Sequence, residues 1–215
     1  VVSSVALLIN LEHNLKINIK DVLFWMDAIR QSDDRYRTLE SFWKGQINSK
    51  VWLIEHLEKY HQNLPYNILV CGGWNGVLAT LLFNSNLDIT RIVSMDIDKN
   101  CEEIAYTMNK DYEMEGRFKA ITSDMLTYED YGKHNLIINT VCEHMTSEQY
   151  NEWLDKLPSK KRIVLQSNDY FSHKEHVNCK KTLEEFQQDC KLNIDIAATM
   201  PTEKYNRFMI IGHKK

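Results

Sequence analysis

The sequence predicts an α/β fold: a doubly wound, mostly parallel seven-stranded sheet with a C-terminal antiparallel β-hairpin, plus an N-terminal helical extension. Three observations predict it. From Tyr66 onward, short apolar runs alternate with helix-period segments, as in a parallel sheet covered on both faces. The last two runs are joined only by a turn through Pro201. That is too short for a crossover helix, so they must pair antiparallel. The first run ends in a glycine cluster that opens a helix, the punctuation of a βα unit.

The extension, residues 1–60, has helical texture. Val22, Leu23, Trp25, Met26 and Ile29 recur at three- and four-residue steps, and a second amphipathic stretch runs from Leu39 to His61. The polar Gln31-Ser32-Asp33-Asp34-Arg35 connects them. Residues 61–215 form the sheet domain. Its expected strands are Asn67–Cys71, Arg91–Asp96, Phe118–Thr122, Asn135–Asn139, Arg162–Gln166, Ile194–Thr199 and Arg207–Gly212.

Composition narrows the function. The 215 residues are 43% hydrophobic and 26% charged, as in an ordinary globular protein. A net charge of -4 supplies no global field for nucleic acid or anionic membrane, so a small-molecule partner is favoured. The basic run Lys160-Lys161-Arg162 reads as a solvated loop. The five cysteines are scattered and form no CxxC pair. This excludes a disulfide framework and a zinc knuckle, and reduced thiols point to a cytoplasmic setting. No apolar run approaches the roughly 20 residues of a membrane span. Val1–Asn10 lacks the basic start and A-x-A site of a signal peptide. Oligomeric state leaves no signature.

The strongest local signal is Cys71-Gly72-Gly73-Trp74-Asn75-Gly76 between the first strand and a helix carrying Val77, Leu78, Leu81 and Leu82. Glycine there permits positive φ and close backbone approach, and the helix start favours a carboxylate or phosphate. Roughly 20 residues further on, Asp96 should end the second strand, where a carboxylate accepts bonds from a ribose diol. Asp98 reads as a helix N-cap. After the third strand, Ser123-Asp124-Met125 offers an acid for an adenine amino group and an apolar surface for the ring. Taken alone, Asp124 also suits an N-cap.

Together the glycine turn, Asp96, Ser123-Asp124-Met125 and the Asn135–Met145 segment resemble the class I S-adenosylmethionine-dependent methyltransferases, from about Tyr66 onward. The resemblance implies S-adenosyl-L-methionine as cofactor. In order, Cys71–Gly76 would hold its methionine moiety, Asp96 its ribose, and Ser123, Asp124 and Met125 its adenine, with Ile97 a further cofactor contact. Asn139 would lie by the reacting methyl. Two places depart from the family. Val70 replaces the usual acid two positions before the first glycine, and Trp74 replaces the second glycine. The contact to the methionine amino group would then come from elsewhere, such as the N-terminal helices.

The fourth strand ends in Asn139-Thr140-Val141-Cys142-Glu143-His144-Met145. Methyl transfer is an in-line displacement that often needs a proton removed from the acceptor. Glu143 or His144 could take it, and Asn139 could orient the acceptor. The plainer reading packs Cys142, sets Glu143 at a helix start and solvates His144. Beyond the fifth strand, Gln166, Asn168, Tyr170 and His176 are candidate acceptor contacts. His144, His173, His176, Cys142 and Cys179 match no familiar zinc spacing, so no metal site is expected. Competing readings are aminopropyl or aminocarboxypropyl transfer from the same cofactor and a non-catalytic adenosyl binder. A nicotinamide dehydrogenase needs G-x-G-x-x-G, which Trp74 and Val77 break.

Overall fold

The computed structural model describes residues 15–60 and 64–214; the Val1–Asn10 stretch and His61 lie outside them. Helices α1 (Ile19–Gln31), α2 (Arg35–Glu40) and α3 (Lys44–Lys59) precede the sheet. Strands β1 (Tyr66–Cys71), β2 (Ile89–Asp96) and β3 (Phe118–Thr122) follow, with α4 (Val77–Phe83), α5 (Asn100–Met108) and α6 (Lys110–Met114) between them. Then come β4 (Leu136–Asn139), α7 (Ser147–Lys156), β5 (Arg162–Asn168), α8 (Leu183–Asp189), β6 (Leu192–Pro201) and β7 (Asn206–Lys214).

The seven strands order as β3-β2-β1-β4-β5-β7-β6. β1 pairs in parallel with both β2 and β4, so the topology switches direction at β1 and a crevice opens at the strands' carboxyl ends. β7 runs antiparallel between β5 and β6. That reversal lays Arg207, near the start of β7, opposite Asn168 at the end of β5.

Alternation along the strands sorts the core into two layers. Ile68, Val70, Ile92, Leu136, Ile138 and Val164 face α3 and α4 in one apolar cluster. Leu69, Val93, Met95, Ile137, Ile163 and Leu165 face α7 and α8 in the other. Val51, Leu53, Ile54 and Leu57 of α3 belong to the first cluster. Val77, Leu78, Leu81 and Leu82 are all buried, as the periodicity predicts.

The extension departs from expectation twice. The Leu39–His61 stretch is broken after Glu40. Phe42 turns in to pack on Trp25 at 5.1 Å between ring centres, and Trp43 is extended at ψ 142°. α1 keeps Leu23 and Met26 exposed and buries Asp21 and Ala28 instead. Asp21 is satisfied there by the Asn84 amide at 2.6 Å and the Tyr112 hydroxyl at 2.9 Å. Periodicity shows a buried face but not a buried polar anchor. No helix among the described residues is long and apolar enough to cross a membrane.

Candidate active site

The glycine turn, Asp96 and the Ser123 segment meet at the carboxyl ends of β1, β2 and β3. Asp96 Oδ2 accepts the Trp74 backbone N–H at 2.8 Å, and its Oδ1 accepts that of Asp98 at 3.0 Å. Ser123 N–H donates to the Asp96 carbonyl at 2.9 Å. Each carboxylate oxygen has a second lone pair, so the group is oriented and still able to accept. Ile97, beside it, is 72% exposed, while Met125 is half-buried. Asp124 Oδ1 accepts the Leu126 N–H at 2.8 Å, a turn cap with no helix behind it. Asp98 accepts the Asn100 N–H at 2.9 Å and also binds Arg37 of α2 at 2.5 Å, which ties the extension to this end of the sheet.

The turn is built for close approach. Gly72 has φ +67°, and a Cβ there would stand 2.3 Å from Val141 Cγ2. Trp74 itself has φ 48°, so it holds the left-handed geometry of the glycine it replaces, at a cost of about 1–2 kcal/mol. Asn75 is 1% exposed, and among the described residues neither its side-chain oxygen nor its nitrogen has a partner. An orphaned buried amide in a strained turn fits a polar ligand group such as an aminocarboxylate tail. Cys71 is fully buried and its thiol faces the core, where desolvation raises its pKa far above the usual range. Only its backbone is left for a ligand. Gly72→Ala is expected to cost about 2–3 kcal/mol from backbone strain and the clash with Val141. Chemical denaturation would measure this, and Val141→Ala in the same chain should return the steric part.

Behind the fourth strand lies a buried polar network. Asn139 is fully buried next to Cys71 in register. Its Oδ1 accepts the Val141 N–H at 2.9 Å, and its amide nitrogen rests on the sulfurs of Met125 (3.6 Å) and Met145 (3.5 Å). Glu143 is 2% exposed. Its Oε1 accepts from Asn168 at 2.7 Å and from Arg207 at 2.5 Å. Arg207 also donates to the Thr140 carbonyl and to Gln166 Oε1. Gln166 and Asn168, expected as acceptor contacts, are themselves buried within this network. These bonds hold the Glu143 carboxylate in place between the β4 and β5 loops and β7.

An outer cluster faces solvent. His144 is exposed; His176, 4.7 Å away between ring centres, is half-buried. Burial lowers the His176 pKa below the ordinary imidazole value, partly opposed by Glu143. Tyr170 stacks on Tyr205 at 5.2 Å. The loop carrying His176 is docked by two backbone bonds, from Val177 and Asn178 N–H to the Glu143 carbonyl. α7 starts immediately after His144-Met145 with a capping box of Thr146 and Gln149, which fixes the segment's exit.

Two residues that sequence reasoning did not assign belong here. Arg207 comes from β7 and reaches the site only because that strand is inserted antiparallel. Lys50 of α3 is buried, donates to Gln46 Oε1 at 2.7 Å, and has its pKa lowered to about 7 by desolvation and by Arg207. A lysine on the apolar face of an amphipathic helix was the available signal. A separate cavity of about 750 Å³, lined by Val51, Ile54, Glu58 and Asn86, sits where the strands begin and holds none of these groups.

No family model and no curated protein sequence matches the chain. Solved structures do match. One is N-methyltransferase NodS from Bradyrhizobium japonicum WM9 in complex with S-adenosyl-L-homocysteine. It is 11% identical at a TM-score of 0.63, over 89% of this chain and 98% of that one. Another is magnesium protoporphyrin IX methyltransferase (ChlM) from Synechocystis PCC 6803 with bound S-adenosylmethionine. It is 14% identical at a TM-score of 0.61, over 94% of this chain and 100% of that one. The chain therefore has the fold of the S-adenosylmethionine-dependent methyltransferases.

Proposed function

We propose that the protein is an S-adenosylmethionine-dependent methyltransferase that acts on a small polar acceptor. The observation that carries this reading is the clasp between Asp96 and the Trp74 N–H at 2.8 Å. It joins the glycine turn to the ribose carboxylate at the switch point of a sheet whose strand order, β3-β2-β1-β4-β5-β7-β6, matches no simple hairpin or barrel. Cofactor-bound methyltransferases of the same fold support it.

When bound, the cofactor supplies an electrophilic methyl group. The chain's own residues do the rest. Asp96 accepts from the ribose hydroxyls, and Asn75 pairs with the polar tail that Val70 cannot hold. Ile97 and Met125 present apolar surface to the adenine, with Ser123 and Asp124 at its edge. Asn139 fixes the strand end beneath the transferred group. Glu143, held by Arg207 and Asn168, positions the β4 and β5 loops. Tyr170, His144 and His176 line the acceptor side. The extension, through Arg37 and Asp98, serves as a lid over the same end. The negative net charge favours a small molecule over nucleic acid.

Calorimetry with S-adenosylmethionine and S-adenosylhomocysteine tests the reading. Wild type should bind both. Asp96→Ala should lose about 1.5–3 kcal/mol, or roughly 10- to 150-fold in affinity, because it removes the ribose contact and frees the turn. Equal affinity in a folded variant would refute the assignment. Label transferred from methyl-tritiated cofactor to a metabolite fraction separates an enzyme from a binder.

A further inference from the structure

We infer that Glu143, His144 and His176 form a binding site for a divalent transition cation of the zinc class, with a coordination position open to solvent. One ligand atom from each of the three lies within 4.8 Å of the others. Small side-chain rotations bring such atoms to the roughly 2.0–2.2 Å at which imidazole and carboxylate bind zinc. Two imidazoles and one carboxylate are a donor set for first-row divalent cations, and three protein ligands leave a position for an exogenous atom.

Two independent features prepare the ligands. The first is in Glu143. Its Oε1 is committed to Asn168 and Arg207, whereas Oε2 is buried with no hydrogen-bond partner among the described residues. A buried carboxylate oxygen with unused lone pairs is costly, and a cation is a partner that uses them. The second is in His176. Its Nδ1 lies 3.1 Å from the Tyr170 carbonyl, which only accepts, so Nδ1 carries the proton and the Nε2 lone pair stays free. An imidazole oriented this way by a backbone carbonyl is the usual support of a metal-bound histidine. His144 is exposed and free to rotate toward the other two.

His173 stands apart. Although its ring is 4.4 Å from that of His176, its Nδ1 accepts the Glu175 N–H within its own turn at 3.3 Å. The ligands come from two loops, after β4 and after β5. The sequence spacing therefore resembles no contiguous zinc motif, and the expectation of no metal is revised on geometry alone.

The test is calorimetric titration of the chelator-treated full chain with zinc sulfate, without S-adenosylmethionine, followed by cobalt(II) and its visible absorption. Wild type should bind one zinc per chain. His144→Ala and His176→Ala should each weaken binding at least about 10-fold, while His173→Ala binds as wild type. Thermal melts confirm that the variants fold, and the exposed His144 puts no core packing at risk. The proposal is overturned if wild type takes up no zinc, if the His144 and His176 variants bind undiminished, or if His173→Ala loses binding equally. Because the cofactor is absent, failure here leaves the methyl-transfer reading standing, and the reverse also holds.

Discussion

Replacing Arg207 with methionine is expected to destabilise the fold by about 3–5 kcal/mol, because it strands a buried carboxylate without its counter-charge. Glu143 is 2% and Arg207 8% exposed, and their charged atoms are 2.5 Å apart. The same substitution leaves the Thr140 carbonyl and Gln166 Oε1 without a donor. Neutralising both ends, with Glu143→Gln added to Arg207→Met, should return more than half of the loss, since the uncompensated charge is then gone. Urea unfolding at constant slope measures both variants. A single-variant loss under about 1 kcal/mol would mean that water reaches the pair, as at an ordinary surface ion pair.

Lys50→Met should change stability in the opposite direction, and by an amount that depends on pH. The folded-state pKa is lowered from 10.5 to about 7, first by desolvation and then by Arg207. Between those two values the unfolded chain holds a proton on Lys50 that the folded chain does not. The wild type should therefore gain up to about 1.4 kcal/mol per pH unit from this group as pH rises through the window. Below pH 7 both states hold the proton, and the whole cost of the buried charge remains. At pH 6 the methionine variant should be the more stable, by at most about 5 kcal/mol less roughly 1 kcal/mol for the lost bond to Gln46. Its advantage should shrink steadily toward pH 10. Guanidinium unfolding of both chains at pH 6, 8 and 9.5 gives the comparison. Parallel pH profiles would show that Lys50 is solvated.

Much of the architecture was legible because it is written locally. The apolar strand runs, the glycine turn and the short Pro201 turn each act over a few residues, and the strands lie within three residues of their expected ends. The helix break at Ser41–Trp43 was not legible, since it depends on Phe42 meeting Trp25. At the site, Asp96 and the turn could be paired from spacing alone. The environment of Gln166 and Asn168 could not. Both look like exposed amides at a strand end, and both are buried because Arg207 and Glu143 arrive from distant parts of the chain. The left-handed Trp74 shows the converse case: backbone geometry was kept while the residue that usually supplies it was lost.

The reversed insertion of β7 has a consequence for biosynthesis. While the ribosome is still adding residues before 207, the earlier strands can already collapse around Glu143, yet its cationic partner does not exist. The nascent domain must keep that carboxylate hydrated, or postpone sealing its second layer, until β7 slots in beside β5. The second layer of this domain closes around a paired Glu143 only once β7 is made, and a stall upstream of Arg207 would leave an open half-sheet for chaperones or proteases to handle.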